Sequence, residues 1–215
     1  MKDTNNVSKK IFDFIYNMAV SDATRRVATG EVKNKLEGNE EIKNAIKEYY
    51  NGSISFEKTV ESINNITKKD EVLCNLSFGK IQKIINMTMK YLYIRDFGNS
   101  KKVSFFSQVH APMDSYMIKF VYDSYCVLSD NDAKPGFKFD CPWSKLKYDA
   151  LQDKKEYDAF QAAIEYIREN ETDCANRIEF DYIYWDVAKS IYDEKLKLPR
   201  AEQRKKTAAC WGKVI

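Results

Sequence analysis

The chain is poor in the residues that break or staple a fold. Among 215 residues there are seven glycines, four prolines and one histidine. So few turn formers argue against a loop-rich β-sandwich and in favour of helices. The five cysteines, Cys74, Cys126, Cys141, Cys174 and Cys210, are an odd and scattered set with no C-x-x-C pair. That spacing excludes a zinc or iron–sulfur ligand run and predicts reduced thiols in a cytoplasmic protein. A single histidine beside scattered thiols also argues against zinc catalysis, so neither a metal nor a cofactor is expected. No apolar run is long enough to cross a bilayer. The polar start Met1-Lys2-Asp3-Thr4-Asn5-Asn6 carries no signal-peptide core, and no membrane partner is expected. P-loop, G-x-G-x-x-G, G-x-S-x-G and H-E-x-x-H motifs are missing as well.

What remains is apolar and charged. Hydrophobic residues make up 44% and charged ones 31%, enough for one α-helical domain over 1–215. That domain is open to division into a lobe of 1–70 with 150–215 and a hairpin and catalytic lobe of 71–149. Apolar positions recur at helical spacing: Ile11, Phe14, Ile15 and Met18 over 8–20; Ile42, Ala45, Ile46 and Tyr49 over 39–50; Phe56, Val60, Ile63 and Ile66 over 55–67. The pattern resumes with Ile81, Ile84, Ile85, Thr88 and Leu92, then Met117, Phe120, Val121 and Tyr125, then Tyr157, Phe160, Ile164 and Ile167. It ends with Phe180, Ile183, Tyr184, Val187 and Ile191, where Glu179, Asp181 and Asp186 read as a solvated outer face. Ser21–Thr24 reads as a break, 103–109 as extended, 129–143 as an irregular loop, and the tail after Pro199 as a last basic helix or a mobile end. The fold class is all-α, a multi-helix orthogonal bundle of about eight to ten helices. A monomer is expected.

Charge is uneven. Lys80, Lys83, Lys90, Arg95, Lys101 and Lys102 stand against Asp96 over 80–102, a net +5. Lys195, Lys197, Arg200, Arg204, Lys205, Lys206 and Lys213 stand against Glu202 over 195–213, a net +6. With +3 overall, the rest of the chain carries −8. Two basic islands on an acidic protein suit an anionic partner such as nucleic acid, or are two solvated helix faces.

One pair of segments carries possible chemistry: Ser77-Phe78-Gly79-Lys80-Ile81-Gln82-Lys83, read as a glycine turn feeding a lysine-rich helix, and His110-Ala111-Pro112-Met113-Asp114-Ser115, read as a loop placing an aspartate at a helix start. Cleaving an N-glycosidic bond needs a group that traps or stabilises positive charge at the sugar carbon, and a deprotonated lysine or a carboxylate can supply it. A lysine attacks near neutral pH only when desolvated or set beside other cations. Lys83 lies one turn from Lys80 among Ile81, Ile84 and Ile85. Free N–H groups at a helix start also suit a phosphate.

These motifs, over roughly residues 70–128, resemble the helix-hairpin-helix DNA glycosylase superfamily, and most of all its archaeal 8-oxoguanine glycosylase branch. There a Gln-Lys pair opens the helix and the lysine-to-aspartate gap is long; here Gln82-Lys83 precedes Asp114 by 31 residues. The resemblance implies a helix-hairpin-helix-like element, DNA as partner, Lys83 as Schiff-base nucleophile and Asp114 as its assistant. The substrate would be an 8-oxoguanine-like lesion or a modified base in foreign DNA. Leu76-Ser77-Phe78-Gly79 stands where the family has Leu-Pro-Gly-Val-Gly, and Lys80, 34 residues before Asp114, is a rival nucleophile.

Ser77, Gly79, Lys80, Lys90, Lys101 and Lys102 are the candidate DNA contacts. Gln82 and Asn86, one turn apart, suit a base edge. Phe78 suits a wedge in the duplex or packing under the hairpin. Trp143 suits stacking on an extruded base or core anchoring, and His110 suits a general base or a brace for the Asp114 turn. Two other classes remain: a helical module that binds nucleic acid without chemistry, and a helical protein whose basic tail docks an acidic partner.

Overall fold

The computed structural model describes residues 4–25, 29–129 and 133–213. Ten α-helices and no strand occur among the described residues, so the molecule is all-α. None of these helices is long and apolar enough to cross a membrane. The chain divides into two compact units, Met1–Val109 and His110–Ile215. This sequential division differs from the expected lobes, in which 150–215 joined 1–70 and 71–149 stood together.

The first unit holds α1 (Thr4–Thr24), α2 (Gly30–Gly38), α3 (Glu40–Tyr50), α4 (Phe56–Thr67), α5 (Phe78–Arg95) and the short α6 (Val103–Phe106). Its spine is α5, which packs along α1 and against α4. Ile81, Ile84, Ile85, Thr88 and Leu92 are all buried, as their spacing predicts. Each such aliphatic side chain contributes about 1.5–3 kcal/mol on burial, which makes this face the strongest organiser of the unit.

Side-chain caps set the helix starts. Thr29 accepts from Val32 N–H, Asn39 from Ile42 N–H and Ser55 from Lys58 N–H. Ile42, Ala45, Ile46 and Tyr49 of α3 and Phe56, Val60 and Ile63 of α4 turn inward as expected.

In α1 the expectation fails twice. The helix runs through Ser21–Thr24, and the Thr24 hydroxyl is satisfied inside it by the Val20 carbonyl at 2.7 Å rather than breaking the helix. Its buried stripe is Phe12, Ile15, Tyr16, Ala19, Val20 and Ala23, with Ile11, Phe14 and Met18 left exposed. The expected extended stretch at 103–109 is also replaced. A 3-10 turn, Ser100–Lys102, leads into α6. Asn99 caps that turn at Lys101 N–H, and Phe105 and Phe106 pack edge-on to Tyr49, Tyr50 and Tyr93.

The second unit holds α7 (Ser115–Leu128), α8 (Leu151–Glu171), α9 (Arg177–Tyr192) and α10 (Arg200–Cys210). Helix α7 is its centre and touches the other three. Met117, Phe120 and Val121 of α7 and Tyr157, Phe160, Ile164 and Ile167 of α8 form the predicted core. On α9 the stripe is rotated from the expectation: Ile178, Phe180, Ala188, Ile191 and Tyr192 are buried, while Ile183 is half exposed. Asp181, expected in solvent, is buried.

The tail after Pro199 forms α10, fastened at its start. Asp123 of α7 is buried and receives both arms of the Arg200 guanidinium and the Tyr192 hydroxyl. Arg200 also lies 3.9 Å above the Phe139 ring.

Candidate functional site

The lysine segment begins α5. Ser77 is its N-cap, and the Ser77 hydroxyl accepts from Lys80 N–H at 3.3 Å. Gly79 therefore sits inside the first helical turn, buried, and the glycines with positive φ are Gly52, Gly98 and Gly212. The expected glycine turn is thus a helix start. The link from α4 is a longer segment, 68–77, in which Asp70 accepts from Val72 and Leu73 N–H groups. The cap also occupies Lys80 N–H, one of the groups expected to meet a phosphate.

Beyond the cap, α5 carries a buried amide ladder. Gln82 Nε2 donates to the Gly79 carbonyl at 2.9 Å, and Asn86 Nδ2 donates to Gln82 Oε1 at 3.0 Å. Both residues are fully buried. Phe78 is buried too, which decides for packing over an exposed wedge.

Lys80, Lys83 and Lys90 are half-buried along the same helix. Burial lowers the Lys80 pKa from its ordinary value, the direction a nucleophilic amine needs. Of the remaining candidate contacts, Lys101 is exposed. The Lys102 ammonium donates to the Tyr50 carbonyl at 2.8 Å and lies 3.7 Å from the Tyr50 ring centroid. Burial lowers its pKa as well. Arg95 is likewise engaged, forked onto Asp96 and donating to the Tyr50 hydroxyl.

The aspartate segment opens the second unit. Gln161 of α8 clamps it, donating to the Ala111 carbonyl at 2.8 Å and accepting from Ala111 N–H at 3.0 Å. His110 Nδ1 lies 2.9 Å from the Tyr157 hydroxyl of α8.

Asp114 is the N-cap of α7. Its Oδ1 accepts from Tyr116 and Met117 N–H at 3.0 and 3.1 Å, and its Oδ2 accepts from the Trp185 indole N–H at 3.0 Å. Trp185 is the site residue that sequence reasoning missed. Its signal was available: an indole on an amphipathic helix buries its ring only where its N–H finds an acceptor. Tyr116 meets that ring edge-on at 5.9 Å, and the Lys189 ammonium lies 5.2 Å from its centroid. Trp143, half-buried, begins a 3-10 turn after Pro142.

Lys83 thus belongs to the first unit and Asp114 to the second. A separate groove of about 250 Å3 in the first unit is lined by Phe14, Asn17, Met18, Ser21, Asp22 and Glu37, and contains none of the candidate residues. No protein-family model matches the chain, and no match was found among curated proteins or solved structures.

Proposed function

We propose that the protein is a DNA glycosylase with linked lyase activity, acting on a damaged or modified base. The observation that carries this reading is the fixing of Asp114. Three donors hold a buried carboxylate at the start of α7. An oriented carboxylate of this kind is what stabilisation of an oxocarbenium-like sugar requires. Lys83 is the assigned nucleophile, forming a bond from Nζ to the sugar C1′ as the base departs with the electrons of the glycosidic bond. Lys80, one turn earlier, is the rival, and its lowered pKa favours it on electrostatic grounds. Oxidised guanine follows the family resemblance as the first base to try, and a modified base in foreign DNA is the second.

Borohydride trapping on oligonucleotides carrying single lesions, modified bases or an abasic site tests the chemistry. A covalent adduct is expected for the parent and for Lys80→Gln and is expected to vanish for Lys83→Gln. The opposite pattern moves the nucleophile to Lys80. No adduct with any substrate removes the lyase.

A second reading has its own observation. Three donors at Asp114 are also what a purely structural cap needs. On that reading the helices bind nucleic acid without chemistry, and affinity survives Lys83→Gln and Asp114→Asn unchanged.

A further inference from the structure

The corner after α5 exposes apolar side chains that the helix periodicity does not explain. Phe97 is 73% exposed, Val103 64% and Ile94 48%. The backbone there is set rather than loose. Asn99 N–H bonds to the Asp96 carbonyl at 2.8 Å, closing a turn over 96–99, and Gly98 takes φ +79°, a conformation that side chains with a Cβ rarely adopt.

The Phe97 ring is also propped. It meets Tyr93 at 5.9 Å and 87°, and Tyr93 meets Phe106 at 5.1 Å and 77°. An edge-to-face prop fixes a ring while leaving a face open.

The surroundings are cationic. Arg95, Lys101 and Lys102 lie within 94–103 against a single carboxylate, Asp96, and Arg95 and Tyr50 hold that carboxylate. The other exposed apolar patch of this unit contrasts with it: Phe14 and Met18 on α1 border Asp22 and Glu37, an acidic rim unsuited to a polyanion.

We propose that the Asp96–Val103 corner is a base-stacking platform, in which Phe97 takes an unpaired nucleobase on its open face and Lys101 takes the adjoining phosphate. This rests on the nucleic-acid part of the reading above and not on the lysine chemistry. An exposed aromatic beside a basic track is the arrangement by which proteins hold unstacked bases without reading their sequence.

The test uses the full chain and duplexes carrying one unpaired 2-aminopurine, with fully paired duplexes and phosphatidylserine–phosphatidylcholine vesicles as controls. Phe97 is exposed, so Phe97→Ala leaves the fold intact. The parent is expected to prefer the unpaired site and to quench its fluorescence. Phe97→Ala is expected to lose the quenching and roughly tenfold in affinity, while Phe97→Trp keeps both. Lys101→Gln is expected to reduce the salt slope of binding by about one.

Parent-like binding and quenching by Phe97→Ala overturns the platform, as does vesicle binding without oligonucleotide binding, which makes the corner a membrane contact. A borohydride adduct with no Phe97 effect removes the platform alone. A Phe97 effect with no adduct keeps the platform and removes the lyase.

Discussion

The Asp114 carboxylate accepts from two N–H groups of α7 and from the Trp185 indole, so truncating it leaves three donors without that acceptor. Loss of the cap and of the indole bond together costs about 2–4 kcal/mol, and Asp114→Ala is expected to show that loss in urea unfolding. Asp114→Asn keeps an oxygen for the cap but turns its amide nitrogen toward the Trp185 indole N–H, and is expected to cost about 1–2 kcal/mol. Adduct formation by Asp114→Asn is nevertheless expected to fall on the order of 100-fold. A stable Asn variant that traps as well as the parent assigns Asp114 to structure alone.

A second residue-scale cluster titrates. Burial, with the hydrogen bond to Asp96, pushes the Tyr50 hydroxyl from 10.0 up to about 12. A raised pKa means that Tyr50 stabilises the fold fully below pH 10 and loses that contribution as pH rises toward 12. At Asp96 burial acts upward, but the Arg95 and Tyr50 hydrogen bonds prevail and hold its pKa below the ordinary 3.8. Its contribution is present above pH 3.8 and is lost as pH falls through the lowered value. Tyr50→Phe is expected to flatten the alkaline limb of a stability–pH curve, and Asp96→Asn the acid limb. Unchanged limbs refute the coupling.

Among the elements, α10 is fastened at its start by Arg200 and further along by Thr207, whose hydroxyl shares a hydrogen bond with Tyr192. Arg200→Gln leaves Asp123, 1% exposed, without its guanidinium, while Arg200 itself is 45% exposed. Breaking a fully buried pair costs about 3–5 kcal/mol, and the exposure of Arg200 reduces the expectation to roughly 2–3 kcal/mol. Hydrogen exchange is expected to show α10 opening ahead of α7 and α8.

How far such elements were legible beforehand varies with the helix. Helices α3, α5, α7 and α8 each carry one dominant apolar stripe beside a polar face, so spacing alone oriented them. Helix α1 carries two stripes sharing Ile15, and periodicity has no means of choosing between Ile11-Phe14-Met18 and Phe12-Tyr16-Ala19. Tyr16 decides it, because its hydroxyl reaches the Leu36 carbonyl of α2 at 2.9 Å, a partner distant in sequence. The candidate site divides in the same way. Asp114 as a helix cap is local and was read correctly. Trp185, 71 residues away, and the inward turn of Gln82 and Asn86 are tertiary. The Ser77-Phe78-Gly79 start was misread because glycine marks turns far more often than first helical turns.

For the whole molecule, the charge islands are thinner than their composition. Arg95, Lys102, Arg200 and Lys206 are engaged with carboxylates or backbone. That leaves Lys101, Lys195, Lys197, Lys205 and Lys213 as exposed cations of the two islands. If these neutralise about four phosphates, duplex affinity falls roughly 100-fold between about 50 and 200 mM salt. A titration insensitive to salt points to the protein-docking alternative.

The thiols have a use of their own. Cys126, Cys141 and Cys174 are buried, and the Cys141 sulfur donates to Glu156 at 3.0 Å, with burial raising its pKa further from reactivity. Cys74 and Cys210 are exposed, one in each unit. A maleimide dye pair therefore marks both units of the natural sequence without mutagenesis. Energy transfer between the dyes reports whether added DNA changes the separation of the unit bearing Lys83 from the unit bearing Asp114.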